Sequence, residues 1–204
     1  MRILDWKSLS AAQRNEALQR PPQHESAAIR ESARGIIDAV RAGGDAAVSA
    51  LTEKFDHVEL SSPRVAAEEF DAAERALTPA QTAAIERAMS NVRRFHAAQG
   101  AAPLRVETAA GVVCERFSVP IRAVGLYVPA GTAPLPSTAI MLAVPAAIAG
   151  CELRIMCTPP GPGGRADPAI LAVARKAGIG QVFKVGGVQA IAAMAYGTAS
   201  IPKC

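Results

Sequence analysis

From Val124 onward the sequence alternates short apolar runs with helix-like segments of about a dozen residues. "VGLYVP" leads through "AGTAPLP" into a helix over 137–149, and "LRIMCT" leads through "PPGPGGRADP" into a helix over 168–177. "QVFKVGG" then feeds the helix "VQAIAAMAYG". Parallel strands require a crossover of this length, usually a helix, so the alternation predicts a parallel α/β sheet. Just upstream, "LRVETAAGVVCERFSVPIRAVGLYVP" is rich in β-branched residues and broken by Gly and Pro, too irregular for a helix. It predicts strands near 105–108, 112–118 and 123–128. With so few strands before Cys204, the sheet is expected to be small.

The first hundred residues carry a helical period instead. "SLSAAQRNEALQR" offers Ser10 as an N-cap, and Pro21-Pro22 ends the segment. "AAIRESARGIIDAVRAGG" puts Ile29, Ile36, Ile37 and Val40 on roughly one stripe, with Gly43-Gly44 as its stop and Asp45 as the cap of "DAAVSALTEKFD". "AAEEFDAAERAL" follows, and then "TPAQTAAIERAMSNVRRFHAAQ", with Thr78 as N-cap and Pro79 at the first helical position. The chain therefore divides into a helical N-terminal region, 1–100, and an α/β nucleotide-type unit, 101–204, incomplete at its C-terminal side.

Charge and cysteine usage narrow the function classes. The net charge is +4, but the basic residues are scattered, the densest group being Arg93-Arg94. No aromatic side chains interleave with them, which argues against nucleic acid. The longest nearly uncharged apolar run, 138–150, is 13 residues with Pro145 inside it, too short for a membrane span. The opening "MRILDWKSLS" has no apolar h-region and does not read as a signal peptide, and Cys114, Cys151, Cys157 and Cys204 form no CxxC pair. A cytoplasmic protein with free thiols is expected, with Cys114 and Cys151 packed in the core. His24, His57 and His96 are isolated, so no metal site is expected among these residues. The acids of the N-terminal helices fall at i, i+3 and i, i+4 from Arg and Lys, the pattern of a solvated face. No nucleophile–base pair stands out, and no catalytic residue is assigned.

Two turns remain as candidate binding elements. In "YVPAGTAPLPST", Gly131, Thr132 and Ala133 would let a ligand approach the backbone, and Tyr127 stands at the strand end. This is neither GxGxxG nor a Walker loop, and a plain strand-to-helix turn with Ser137 as N-cap remains open. In "KVGGVQAIAAMAYG" the turn is Gly186-Gly187, and Gln189 in the first helical turn either reaches a ligand or is a solvated or capping residue. "PPGPGGRADP" reads as a flexible surface connection.

Taken together, "LYVPAGTAPLPST", "PAAIAGC", "VGGVQAIAAMAYGT" and "SIPK", with "GGDAAVSALTEKFD" earlier, resemble the N-terminal portion of the histidinol dehydrogenase family. The resemblance runs over essentially the whole chain. It implies an incomplete Rossmann-like α/β fold and a zinc enzyme, usually a homodimer, that takes L-histidinol through the aldehyde to L-histidine with two NAD molecules. It also implies NAD contacts for Tyr127 and Gln189. Ala130 stands where the family often has a second glycine. The family continues past "IPK" into a GPGN block, four zinc ligands and a Glu-His pair, none of which is among these 204 residues. The expectation is a chain inactive alone, the alternative being a non-catalytic NAD-binding module or the remnant of a truncated gene.

Overall fold

The computed structural model describes residues 4–19, 27–130 and 133–204. The expected stop at Pro21-Pro22, His24, and the Gly131-Thr132 part of the candidate loop lie outside them. The chain divides into two compact units, Met1–Arg34 and Gly35–Cys204.

In the first unit, Ser10 caps helix α1, Ala11–Leu18, as expected. The Ser10 hydroxyl accepts from the Gln13 N–H, and the Gln13 side chain accepts from the Ser10 N–H, a reciprocal box that satisfies two helix-end donors. Helix α2, Ala27–Asp56, begins in this unit and continues into the second.

In the second unit, Gly44 (φ 53°, ψ −133°) interrupts α2 where the Gly pair was expected to stop it. Asp45 does not serve as the cap. One of its oxygens accepts from the Ser200 hydroxyl at 2.6 Å, and the other is buried without a partner. Helix α3 spans Ala67–Ala76, and α4, Pro79–Ala97, starts with the expected Thr78 cap and Pro79.

Strand β1, Leu104–Ala109, pairs antiparallel with β2, Val112–Arg116, as a separate two-stranded hairpin. The parallel sheet is β3-β4-β5: β3 Ala123–Tyr127, β4 Leu153–Thr158 and β5 Gln181–Lys184. Helix α5, Pro136–Ile148, joins β3 to β4; α6, Pro168–Lys176, joins β4 to β5; and α7, Gly187–Tyr196, follows β5. This is the α/β architecture read from the alternation.

Side chains alternate across each strand, and the core divides accordingly. Met156 and Val182 enter one apolar cluster with α3, α4, α5 and α6. Ile155, Cys157 and Phe183 enter the other with α2 and α7. β4 is covered on both faces from Ile155 onward, which is why "IMCT" is buried continuously rather than at every second residue. Gly125 lets β3 approach α7, since a Cβ there would lie 2.6 Å from the Met194 sulfur.

The acids of α3 and α4 do not form only a local solvated face. Arg175 bonds Asp71 at 2.8 Å and Glu74 at 3.0 Å, Lys176 bonds Glu86 at 2.7 Å, and Lys184 bonds Glu69 at 2.8 Å. They pair with α6 and β5, partners that helical spacing along one segment does not reveal. Among the described residues no helix is long and apolar enough to cross a membrane.

Candidate functional site

In an open parallel sheet, ligands collect at the carboxyl ends of the strands. Here the turns after β3, β4 and β5 meet there. Tyr127, the last residue of β3, accepts a hydrogen bond on its hydroxyl from the Gly187 N–H at 3.1 Å. That N–H belongs to the first residue of α7, so the ring reaches the positive end of the helix. Gly187 has φ +59°, and a Cβ on it would stand 2.7 Å from Gln189 Oε1. The glycine thus serves two ends: it takes a left-handed turn and leaves room for the glutamine beside it. Gln189 is only 1 % exposed, so it is not a solvated side chain. Tyr127 and Gln189, separate in the sequence, are brought to the same helix end.

The turn after β4 differs from its expected character. "PPGPGGRADP" packs down: Pro159, Pro160, Gly164 and Ala166 are buried, and the Gly161 N–H donates to the Arg165 carbonyl at 2.8 Å. Asp167 caps α6, its carboxylate accepting from the Ala169 and Ile170 N–H groups. The proline content that suggested a mobile connection instead stiffens a loop against the sheet end. Helix α5 in turn starts with Pro136 at its first position, and Ser137 lies inside the helix rather than capping it.

A cavity of about 740 Å³ opens between the turns after β3 and β4 and the end of α2, lined by Asp56, His57, Ala130, Pro134, Pro159 and Arg165 among others. A second, of about 780 Å³, lies beside Arg64 and Arg175 with 178–180, at the amino end of β5. The first is the better candidate, because only the carboxyl ends of the strands present helix N-termini and their free N–H groups.

In the sequence Asp56 reads as one more acid at a helix end. Burial raises its carboxyl above the ordinary value of 3.8, and the adjacent His57 opposes the shift. One carboxylate oxygen is buried without a partner, and the other lies 3.4 Å from the place a Cβ on Gly186 would take. His57 has φ +56°, the left-handed residue that ends α2 and turns the chain beside the cavity. Thr158, fully buried at the end of β4, also has an unpartnered hydroxyl. No spacing in the sequence marks either residue, since each depends on a turn from another part of the chain.

Among the described residues no group of three or more His, Cys, Asp or Glu stands together. These residues therefore do not fit a zinc ion. The α7 N-terminus with Gly186 and Gly187 offers free N–H groups to an anionic group, while the 740 Å³ cavity is lined by neither glycine, nor by Tyr127 or Gln189. Cys151 and Cys157 are buried, whereas Cys114 is exposed, contrary to the expected core position. Burial pushes the Cys157 thiol up to about 12, so it is inert.

Comparison with known proteins gives a consistent result. A family model described as histidinol dehydrogenase matches residues 18–204. The histidinol dehydrogenase of Xanthomonas euvesicatoria is 50% identical over 204 residues, covering 100% of this chain and 47% of that protein. That of Vibrio cholerae is 50% identical over 203 residues, covering 46% of its length. The crystal structure of histidinol dehydrogenase from Elizabethkingia anophelis superposes with a TM-score of 0.90 at 37% identity, over 96% of this chain and 45% of that one. The chain thus spans about half the length of the relatives it matches.

Proposed function

The chain belongs to the histidinol dehydrogenase family, and on that premise we propose that its 204 residues form one side of an NAD pocket. The observation that carries this reading is the convergence of Tyr127 and Gln189 on the N-terminus of α7. Tyr127 would hold the cofactor at the sheet end through its ring and hydroxyl, and Gln189 through its amide. The α7 N–H groups and dipole would face the pyrophosphate. When bound, NAD supplies the hydride acceptor for oxidation of an alcohol. The residues of this chain position it and exclude water around it. Together with the rest of the family's length, the reaction is oxidation of L-histidinol through the aldehyde to L-histidine, in a cytoplasmic homodimer. The zinc ligands and acid–base pair implied by the family resemblance are not among these residues, so the 204-residue chain alone is proposed to be inactive.

Calorimetric titration with NAD tests the pocket. The chain is expected to bind NAD, and Gln189→Leu to weaken binding by about tenfold, the equivalent of one good hydrogen bond to a charged or polar ligand. Equal affinity in the variant would remove Gln189 from the pocket. Zinc-dependent NADH production from L-histidinol by the 204-residue chain would overturn its assignment as a partial site.

A further inference from the structure

The hairpin β1–β2 holds together almost nothing in this chain. Every residue of both strands is exposed. Register places Leu104 opposite Arg116 and Val106 opposite Cys114, so Leu104, Val106, Val112, Cys114 and Arg116 share one face, while Arg105, Glu107, Val113 and Glu115 share the other. The second face is satisfied in water by the Arg105–Glu115 pair at 2.9 Å. The first carries four apolar side chains with Arg116 at its end and is uncovered, and the chain leaving it adds Phe117 at 69%, Val119 at 72% and Ile121 at 69% exposure. Of 18 exposed large apolar side chains among the described residues, seven fall within 104–121. Single exposed apolar residues are ordinary, but a concentration on one ribbon marks an interface. A lone two-stranded hairpin is also marginal in water without a hydrophobic partner.

We propose that the apolar face of the β1–β2 hairpin is the docking surface for the half of the histidinol dehydrogenase chain that these 204 residues do not span. The lengths identify the occupant. The chain matches along all of its own length but only 47% of the Xanthomonas euvesicatoria enzyme. Its fold superposes at a TM-score of 0.90 on a solved chain of which it covers 45%. A closely similar conformation therefore occurs within a solved chain about twice as long, and the rest of such a chain is what would cover the exposed face. The occupant presents a matching apolar surface and, along the open edges of β1 and β2, backbone groups that continue the ribbon. A second copy of this chain is the competing occupant.

The test co-expresses the 204-residue chain with the unmatched half of the Xanthomonas euvesicatoria enzyme carrying an affinity tag. Co-purification in equal amounts is expected. Val106→Asp, on the apolar face, should cut the recovered chain by about tenfold or more, while Arg105→Ala, on the opposite face, should leave recovery within about twofold. Peptide-resolved alkylation with iodoacetamide needs no variant: Cys114 should react at least about tenfold more slowly in the complex than in the free chain. Failure to co-purify, unchanged Cys114 alkylation, or equal losses for both variants overturns the proposal. A stable dimer of the 204-residue chain by light scattering, broken by Val106→Asp, would assign the face to a second copy instead.

Discussion

The parallel sheet and the hairpin are built from the same kinds of residue and behave in opposite ways. β4 buries Ile155, Met156 and Cys157 fully, with helices on both faces. β1 and β2 carry Leu, Val and Cys with no cover at all. Strand propensity accounts for both, since β-branched and aromatic residues suit any pleated surface. What differs is the connection. Each strand of the sheet is followed by a helix that packs against it, and α2, α3 and α4 complete the cover. The hairpin closes through Gly111 (φ +77°) and brings none. Strand formation is thus a local property, whereas burial depends on what the rest of the chain supplies.

The largest expected effect is the stability gap between the two regions. Phe183 is fully buried between β5 and the α2–α7 layer, and Phe183→Ala should cost about 3–5 kcal/mol through lost transfer energy and a residual cavity. Val113→Ala, on the exposed hairpin, should cost less than about 0.5 kcal/mol. Urea denaturation of the two variants beside the parent measures both. Similar losses would mean that the hairpin shares a core with the sheet in solution and would break the comparison.

A smaller effect separates two glycines with similar backbone angles. Gly187→Ala meets a positive φ and a Cβ 2.7 Å from Gln189 Oε1, whereas Gly111→Ala meets a positive φ with nothing within 4 Å. Left-handed strain alone is about 1–2 kcal/mol, so both variants lose that much. Only Gly187→Ala should also displace Gln189, seen as changed side-chain amide resonances by NMR. An unmoved Gln189 in that variant would mean that the turn relaxes without it.

The same contrast explains what was legible in the sequence. Elements and caps that depend on near neighbours were readable: Ser10, Thr78 with Pro79, and the strand–helix alternation after Val124. Tyr127 and Gln189 stand out in the sequence one by one, each beside its own strand-to-helix turn. Their meeting at Gly187 follows from β3 and β5 flanking β4, which only the folded sheet supplies. Cys114 reads as a core residue because its apolar strand looks like any core strand, yet it is exposed. The surroundings of Asp45 and Asp56 and the distant partners of the acids of α3 and α4 are not legible in local spacing for one reason: they lie far along the chain, as with Lys184 and Glu69, 115 residues apart. Helical spacing sees only i, i+3 and i, i+4.

Asp56 gives the smallest effect and the one most specific to the sheet end. Its folded-state pKa is raised by burial, so between the ordinary value of 3.8 and the raised value the folded state holds more proton than the unfolded one. Stability therefore falls as pH rises through that interval, and above it the charged carboxylate is a constant burden on the fold. Asp56→Asn keeps the shape and removes the charge. Its melting temperature relative to the parent should be near unchanged below pH 3.8 and higher at pH 7. The equivalent exchange on the hairpin, Glu115→Gln, acts on a group paired with Arg105 in water and should not reproduce the rise. A parent chain stabilised by Asp56 at neutral pH would mean that the unpartnered oxygen finds a donor in solution. The cavity would then present a satisfied carboxylate rather than one left open at the carboxyl ends of the sheet.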